Sequence, residues 1–162
     1  ITISQLSGRI ELLYKNHHFK VDEKTEVVNE QGDSKSLKDL DLNFPVFVVR
    51  FSEFSCMSCI SSEMKKISGF SQILPNTLCL GTYSRLGDLQ MNKRLMGLSI
   101  PVYNIAFNAL ENGLEKKKMP YYFVLDENFE VRHLFVAEPN NAELTDKYLN
   151  FIASLFKENN LN

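Results

Sequence analysis

From Val46 to Phe51 the chain is apolar at nearly every position, the pattern of a central strand buried on both faces. After a short polar turn the period changes. Ile60, Met64 and Ile67 recur at helical spacing and Gly69 supplies a stop, which predicts a helix opening at Cys56. Leu78-Cys79-Leu80 predicts a second buried strand, Asp88 to Met96 a helix closed near Gly97, Ile100–Ile105 a short strand and Phe107–Leu114 a short helix. Tyr121–Leu125 and Val131–Val136, joined by Asp126-Glu127-Asn128-Phe129, predict a hairpin. The closing helix carries Leu144, Tyr148, Phe151 and Leu155 on one face, reinforced by Ile152 and Phe156, and Asn140 with Glu143 has the spacing of a capping box.

The first forty residues carry less pattern. Arg9–Tyr14 and His18–Val21 fit short strands, or a frayed helix followed by a strand, and residues 25–40 fit a hairpin turning at Gly32. Strand and helix alternate first and a hairpin comes late, so parallel crossovers and antiparallel edges are expected in one mixed sheet covered by helices on both sides. No repeat, low-complexity tract or linker interrupts the chain. One domain over residues 1–162 is expected, with 1–24 an ill-defined extension.

The chemistry of the sequence is concentrated in Phe51-Ser-Glu-Phe-Ser-Cys-Met-Ser-Cys59. Two residues between cysteines place both sulfurs on the first turn of the predicted helix, close enough to bridge. Unpaired N–H groups and the positive end of the helix dipole favour thiolate there, and the thiolate is the nucleophile. A redox pair is therefore the leading reading, against one in which both cysteines are small apolar residues. A structural zinc site would need two further Cys or His ligands at suitable spacing, and none follows. Cys79, between two leucines, reads as a buried core thiol, and His17, His18 and His133 have no partner at ligand spacing.

Composition changes this picture little. With 44% hydrophobic residues the 162-residue chain is long enough for a sizeable core. A formal net charge of −2 without a basic stripe argues against nucleic acid as a partner. Apolar runs are too short to span a membrane. Three cysteines are too few for a disulfide scaffold. The chain starts at Ile1, so an upstream targeting segment or anchor is expected to have preceded it.

Taken with Met119-Pro120 ahead of Tyr121-Tyr-Phe-Val-Leu125, these stretches resemble a thioredoxin-fold protein, most nearly the extracytoplasmic TlpA-like thiol-disulfide oxidoreductases of the redoxin group, over about residues 25–158. The resemblance implies an α/β, thioredoxin-like three-layer fold: a mixed central sheet flanked by helices, with an N-terminal β-hairpin extension. It implies Cys56 as nucleophile and Cys59 as resolving thiol. It also implies a cis Met119–Pro120 bond presenting the Met119 backbone to substrate, with Phe54 and Met57 on the rim of the site. Protein thiols or disulfides would be the partners, a membrane thiol carrier the electron donor, and the cysteine pair itself the only redox group. A monomer in the periplasm, or anchored facing it, completes that expectation.

Three positions depart from the family pattern. Ser55 stands where Trp is frequent, Ser58 where proline is common, and Arg50 where thioredoxins proper carry a buried acid. Arg50 stays protonated and cannot accept a proton: pointing toward the sulfurs it would favour their thiolates, and pointing away it would be a strand residue near an edge. The competing function is a redox-inactive, protein-binding module using the groove beside Pro120. A peroxiredoxin would need Thr or Ser three residues before the cysteine, where Glu53 would repel the thiolate. Copper delivery would need wider cysteine spacing and a later histidine.

Overall fold

The computed structural model describes residues 2–3, 19–116, 119–138 and 140–159. The expectations for Arg9–Tyr14, His17, His18 and Pro139 lie outside these residues. Seven strands form one mixed sheet: β1 (Glu26–Val28), β2 (Ser34–Ser36), β3 (Val46–Ser52), β4 (Thr77–Thr82), β5 (Val102–Asn104), β6 (Tyr121–Leu125) and β7 (Val131–Val136). Their spatial order is β2-β1-β5-β4-β3-β6-β7. β3, β4 and β5 run parallel, as the strand–helix alternation requires, and β6 and β7 add antiparallel neighbours on the far side of β3. The predicted hairpin of residues 25–40 is β1–β2, and it joins the sheet where Val28 pairs with Asn104.

Among the described residues three α-helices connect or close these strands: α1 (Met57–Ser68), α2 (Leu86–Met96) and α3 (Ala142–Asn159). All three bury side chains in the same cluster as Phe47, Val49 and Phe51, so they share one face of the sheet. Ile60, Met64 and Ile67 of α1 are almost fully buried there. Each contributes about 1.5–3 kcal/mol relative to an exposed position, enough to hold the helix against the sheet without help from its polar face. Gly81 of β4 allows the close approach of α2, because a Cβ at that position would lie 3.0 Å from the Leu89 side chain. Gly97 closes α2 in the left-handed conformation, φ 64°, donating its N–H to the carbonyls of Lys93 and Arg94.

Val46, Val48, Leu78, Leu80, Tyr121 and Phe123 point to the opposite face. The chain that covers it is mostly irregular. Residues 107–114, read from sequence as a helix, form turns and the start of a short 3-10 segment at Gly113–Lys116. Asn108 and Glu111 take positive φ (59° and 49°), which no α-helix accommodates. Leu110 and Leu114 are nevertheless buried, which explains the apolar spacing that suggested a helix.

At the end of the chain Ile152 and Phe156 are buried as read, but the rest of the buried line is displaced by one residue from the expected one. α3 buries Thr145, Leu149, Ile152 and Phe156, whereas Phe151 is 47% exposed and meets the His133 ring edge-on. Its first turn is capped by Asn141, not Asn140: the Asn141 side chain accepts the Leu144 N–H at 3.3 Å. Tyr148 stacks on Phe135 with centroids 4.5 Å apart and donates to the His133 carbonyl at 2.6 Å.

Burial pushes the hydroxyls of Tyr121, Tyr122 and Tyr148 above their ordinary pKa of 10.0. The unfolded chain therefore releases these protons first. Their contribution to stability is complete below pH 10 and is lost as pH rises beyond it. Urea midpoints measured from about pH 8 to about pH 12 should fall above pH 10, less steeply in Tyr148→Phe. A midpoint that stays level across that range would contradict the assignment.

Candidate functional site

The site begins where β3 leaves the sheet. The Glu53 N–H still bonds the Thr82 carbonyl at 2.9 Å, extending the ladder by one residue. A turn follows, built by two serines. Ser55 Oγ accepts the Ser52 N–H at 3.1 Å, the Ser55 N–H donates to the Ser52 carbonyl at 2.9 Å, and Ser52 Oγ accepts the Phe54 N–H at 3.3 Å. Short hydroxyl side chains close such turns by satisfying nearby N–H groups. Ser55, where the related pattern often has Trp, is thus a buried part of the turn that aims the next residue.

That residue, Cys56, is the N-cap of α1. Its backbone is extended (φ −60°, ψ 114°), and its sulfur accepts the Cys59 N–H at 3.3 Å. The Ser58 hydroxyl lies 3.1 Å from the same sulfur. Cys59 stands at disulfide distance, with the two Cα atoms 5.2 Å apart. The pair is asymmetric: Cys56 is exposed, whereas Cys59 is half-buried on the first turn. Phe54 and Met57 flank the cysteine and are 58% and 37% exposed.

One turn beyond Cys59, α1 carries a carboxylate that the sequence reading passed over. Glu63 is buried and accepts a 2.6 Å hydrogen bond from the Tyr122 hydroxyl, with Lys66 Nζ 3.4 Å away. Lys66 also reaches the Ala142 carbonyl at 3.3 Å, so the cysteine helix is tied both to β6 and to the start of α3.

Arg50 lies on the sheet face away from α1, among the residues of the second core. Its guanidinium forms a two-pronged pair with Glu115: Nη2 to Oε2 at 2.6 Å and Nε to Oε1 at 3.1 Å. Both side chains are nearly inaccessible, 3% and 1% exposed. Remaining donors go to Thr82 Oγ1 at 2.7 Å and to the carbonyls of Phe51 and Leu80. Tyr121 donates to Glu115 as well, and the Asn112 side chain donates to Tyr121 and accepts the N–H groups of Leu114 and Glu115. None of these partners is a sulfur. The network instead fastens the segment 112–115 beneath the strand that leads to the cysteines.

Four residues past Glu115, Met119 shares a narrow crevice with Ser52, Ser55 and Tyr121, which brings the Met119-Pro120 segment against the cysteine turn. Pro120 is buried and its carbonyl accepts the Ala137 N–H at 3.1 Å as β6 begins. The expected cis bond is not here: among the described residues the cis peptide is Phe44–Pro45, before β3. An X–Pro bond prefers trans by about 0.5–1 kcal/mol, and a proline opening a strand sacrifices no ladder hydrogen bond. Cys79 is fully buried in β4, and desolvation pushes its thiol well above the ordinary range. It takes no part in the site.

Comparison with solved structures places this architecture among thioredoxin-like proteins. The chain is similar to a candidate thiol:disulfide interchange protein DsbE from Chlorobium tepidum, at 14% identity and a TM-score of 0.57, covering 83% of this chain and 98% of that one. A secreted Mycobacterium tuberculosis disulfide oxidoreductase homologous to E. coli DsbE matches at 12% identity and a TM-score of 0.51, over 78% and 95%. The exposed lipoprotein thioredoxin of Streptococcus pneumoniae matches at 13% identity and a TM-score of 0.53, over 82% and 97%. At such identities the likeness speaks for the fold. No protein-family model matches the sequence, and no curated protein does.

Removing one member of a buried ion pair strands the other charge, at about 3–5 kcal/mol. Arg50→Met should therefore lower unfolding free energy by about that much, and the Arg50→Met/Glu115→Gln double variant by clearly less. Urea denaturation of these proteins and of Glu115→Gln alone checks this. Losses in the two single variants that add up to the loss in the double variant would show that the pair is not coupled.

Proposed function

We propose that this chain is a thiol-disulfide oxidoreductase that exchanges disulfides with partner proteins through Cys56 and Cys59. The observation that carries the reading is an exposed Cys56 sulfur at the N-cap of α1, accepting the Cys59 N–H and lying at disulfide distance from the less accessible Cys59. Once the bridge is reduced, a thiolate on Cys56 meets that N–H, the Ser58 hydroxyl and the positive end of the helix.

The Cys56 thiolate attacks one sulfur of a partner disulfide. A mixed S–S bond forms, the partner's own S–S bond breaks, and the partner's second sulfur leaves as a thiolate that takes up a proton. Cys59, having given up its proton, then attacks the Cys56 sulfur. This closes the intramolecular bridge and releases the partner's first thiol. Two electrons pass from the cysteine pair to the partner, and running the steps backwards oxidises a partner dithiol. In the reductive direction, a second dithiol must reopen the Cys56–Cys59 bridge. A membrane thiol carrier in an extracytoplasmic compartment is the donor and setting we assign, supported by secreted and lipoprotein examples among the fold neighbours.

Met119, Pro120, Phe54 and Met57 are assigned to partner contact. Phe54 and Met57 offer an apolar platform beside the exposed sulfur, and Met119 packs against the turn that carries it. Arg50 and Glu115 act through position, holding the segment 112–115 beside the crevice that Met119 lines. With its charge compensated by Glu115, the guanidinium is assigned no direct tuning of the thiols.

Titration of the pair in glutathione buffers, read by thiol alkylation and mass in a Cys79→Ala background, should give one reversible two-electron transition. Cys59→Ser should trap a mixed disulfide with a protein substrate, and Cys56→Ser should trap none. A pair that never bridges, or Cys59→Ser that traps nothing, would transfer the assignment to a redox-inactive binding module.

A further inference from the structure

A second surface adjoins the cysteines on the side away from Met119. It is a groove of about 630 Å³ lined by Glu26, Glu53, Phe54, Tyr83, Asn104 and Phe107 among others. It lies beyond the C-terminal ends of the three parallel strands β3, β4 and β5, where open α/β sheets place their ligands. Its floor is held in place: the Tyr83 N–H donates to the Asn104 side-chain oxygen at 2.9 Å, and the Asn104 amide donates back to the Tyr83 carbonyl at 3.0 Å. Phe54 and Phe107 are 58% and 51% exposed, which keeps two aromatic rings in water beside this rigid floor.

The charge of the lining selects the occupant. Glu53 accepts a hydrogen bond from Ser84 and Glu26 from Ser34, each at 2.5 Å, and among the described residues neither carboxylate forms a salt bridge, although Arg85 lies close enough to Glu53 to feel its charge. Arg85, the cation nearest in sequence to Ser84, is held by Asp88 at 2.9 Å. Continuity with the cysteine pair sets the reach. Phe54 precedes Cys56 by two positions, so their Cα atoms lie within about 7 Å, a span of about two extended residues.

We infer that this groove docks an extended segment of the client polypeptide, one that places an aromatic or large aliphatic side chain beside lysine or arginine, about two residues from the cysteine exchanged with Cys56. The inference rests on the exchange reading above and adds client selectivity to it. The aromatic rings supply contact area, and the two carboxylates supply discrimination by charge.

The test uses the whole chain and labelled peptides with serine in place of the reactive cysteine, so binding is read without exchange. The peptides share one apolar core flanked by two arginines, two glutamines or two glutamates. Fluorescence anisotropy should show the arginine peptide binding about tenfold more tightly than the glutamate peptide, the sum of two exposed charge contacts. That advantage should shrink with added salt and drop below about twofold in Glu26→Gln/Glu53→Gln. Equal binding of the three peptides, no measurable binding, or an arginine preference that survives the double substitution would each overturn the proposal. Exchange with glutathione disulfide is measured in parallel. Its failure alongside charge-selective binding would sink the oxidoreductase reading and leave the docking groove standing.

Discussion

The buried pair between Arg50 and Glu115 is the constraint on which the geometry of this molecule turns. A guanidinium inside a sheet is costly unless its charge and every donor are met. Here they are met by a carboxylate, a threonine hydroxyl and two backbone carbonyls. The partner carboxylate comes from a segment with little regular structure, so a polar contact holds what helical packing holds on the opposite face. The same contact holds Glu115 in the crevice that Ser52, Ser55 and Met119 also line, next to the turn before Cys56, although it touches neither sulfur.

The cysteine helix is fixed in a similar way. Apolar burial of Ile60, Met64 and Ile67 sets its position on the sheet, but such contacts are non-directional. Direction comes from the hydrogen bond between Glu63 and Tyr122 and from the reach of Lys66 to the start of α3. These contacts oppose rotation of the helix about its axis, and the exchange proposed for Cys56 and Cys59 would draw on that fixed direction.

Those elements whose pattern follows one period were legible in the sequence. β6 and β7 have the expected bounds, α1 opens one residue after the expected cysteine, and α2 closes at the expected glycine. Where two influences compete, the sequence misleads. Phe107–Leu114 has helical apolar spacing, yet Asn108 and Glu111 turn the backbone the other way so that the same side chains cover a sheet. In α3 the buried line Thr145, Leu149, Ile152 and Phe156 lies one residue, about 100°, round from Leu144, Tyr148, Phe151 and Leu155; Tyr148 still meets the Phe47 and Tyr122 rings, while Phe151 stays exposed against His133. The site was only half readable. A C-x-x-C motif is a local signal, but Glu115 stands 65 positions from Arg50, and no spacing rule links a cation to a partner so distant. The groove was equally hidden, because its lining comes from β1, the ends of β3 and β4 and the segment after β5.

Cys79 carries a consequence for how this protein can be observed. Its thiol is sealed between sheet and helices, with its burial disfavouring the reactive anion. While the fold is intact, a water-soluble electrophile encounters only the pair on α1. Label at the third sulfur then marks molecules that have come fully apart, which makes β4 an internal clock for global opening, independent of the redox state at the surface.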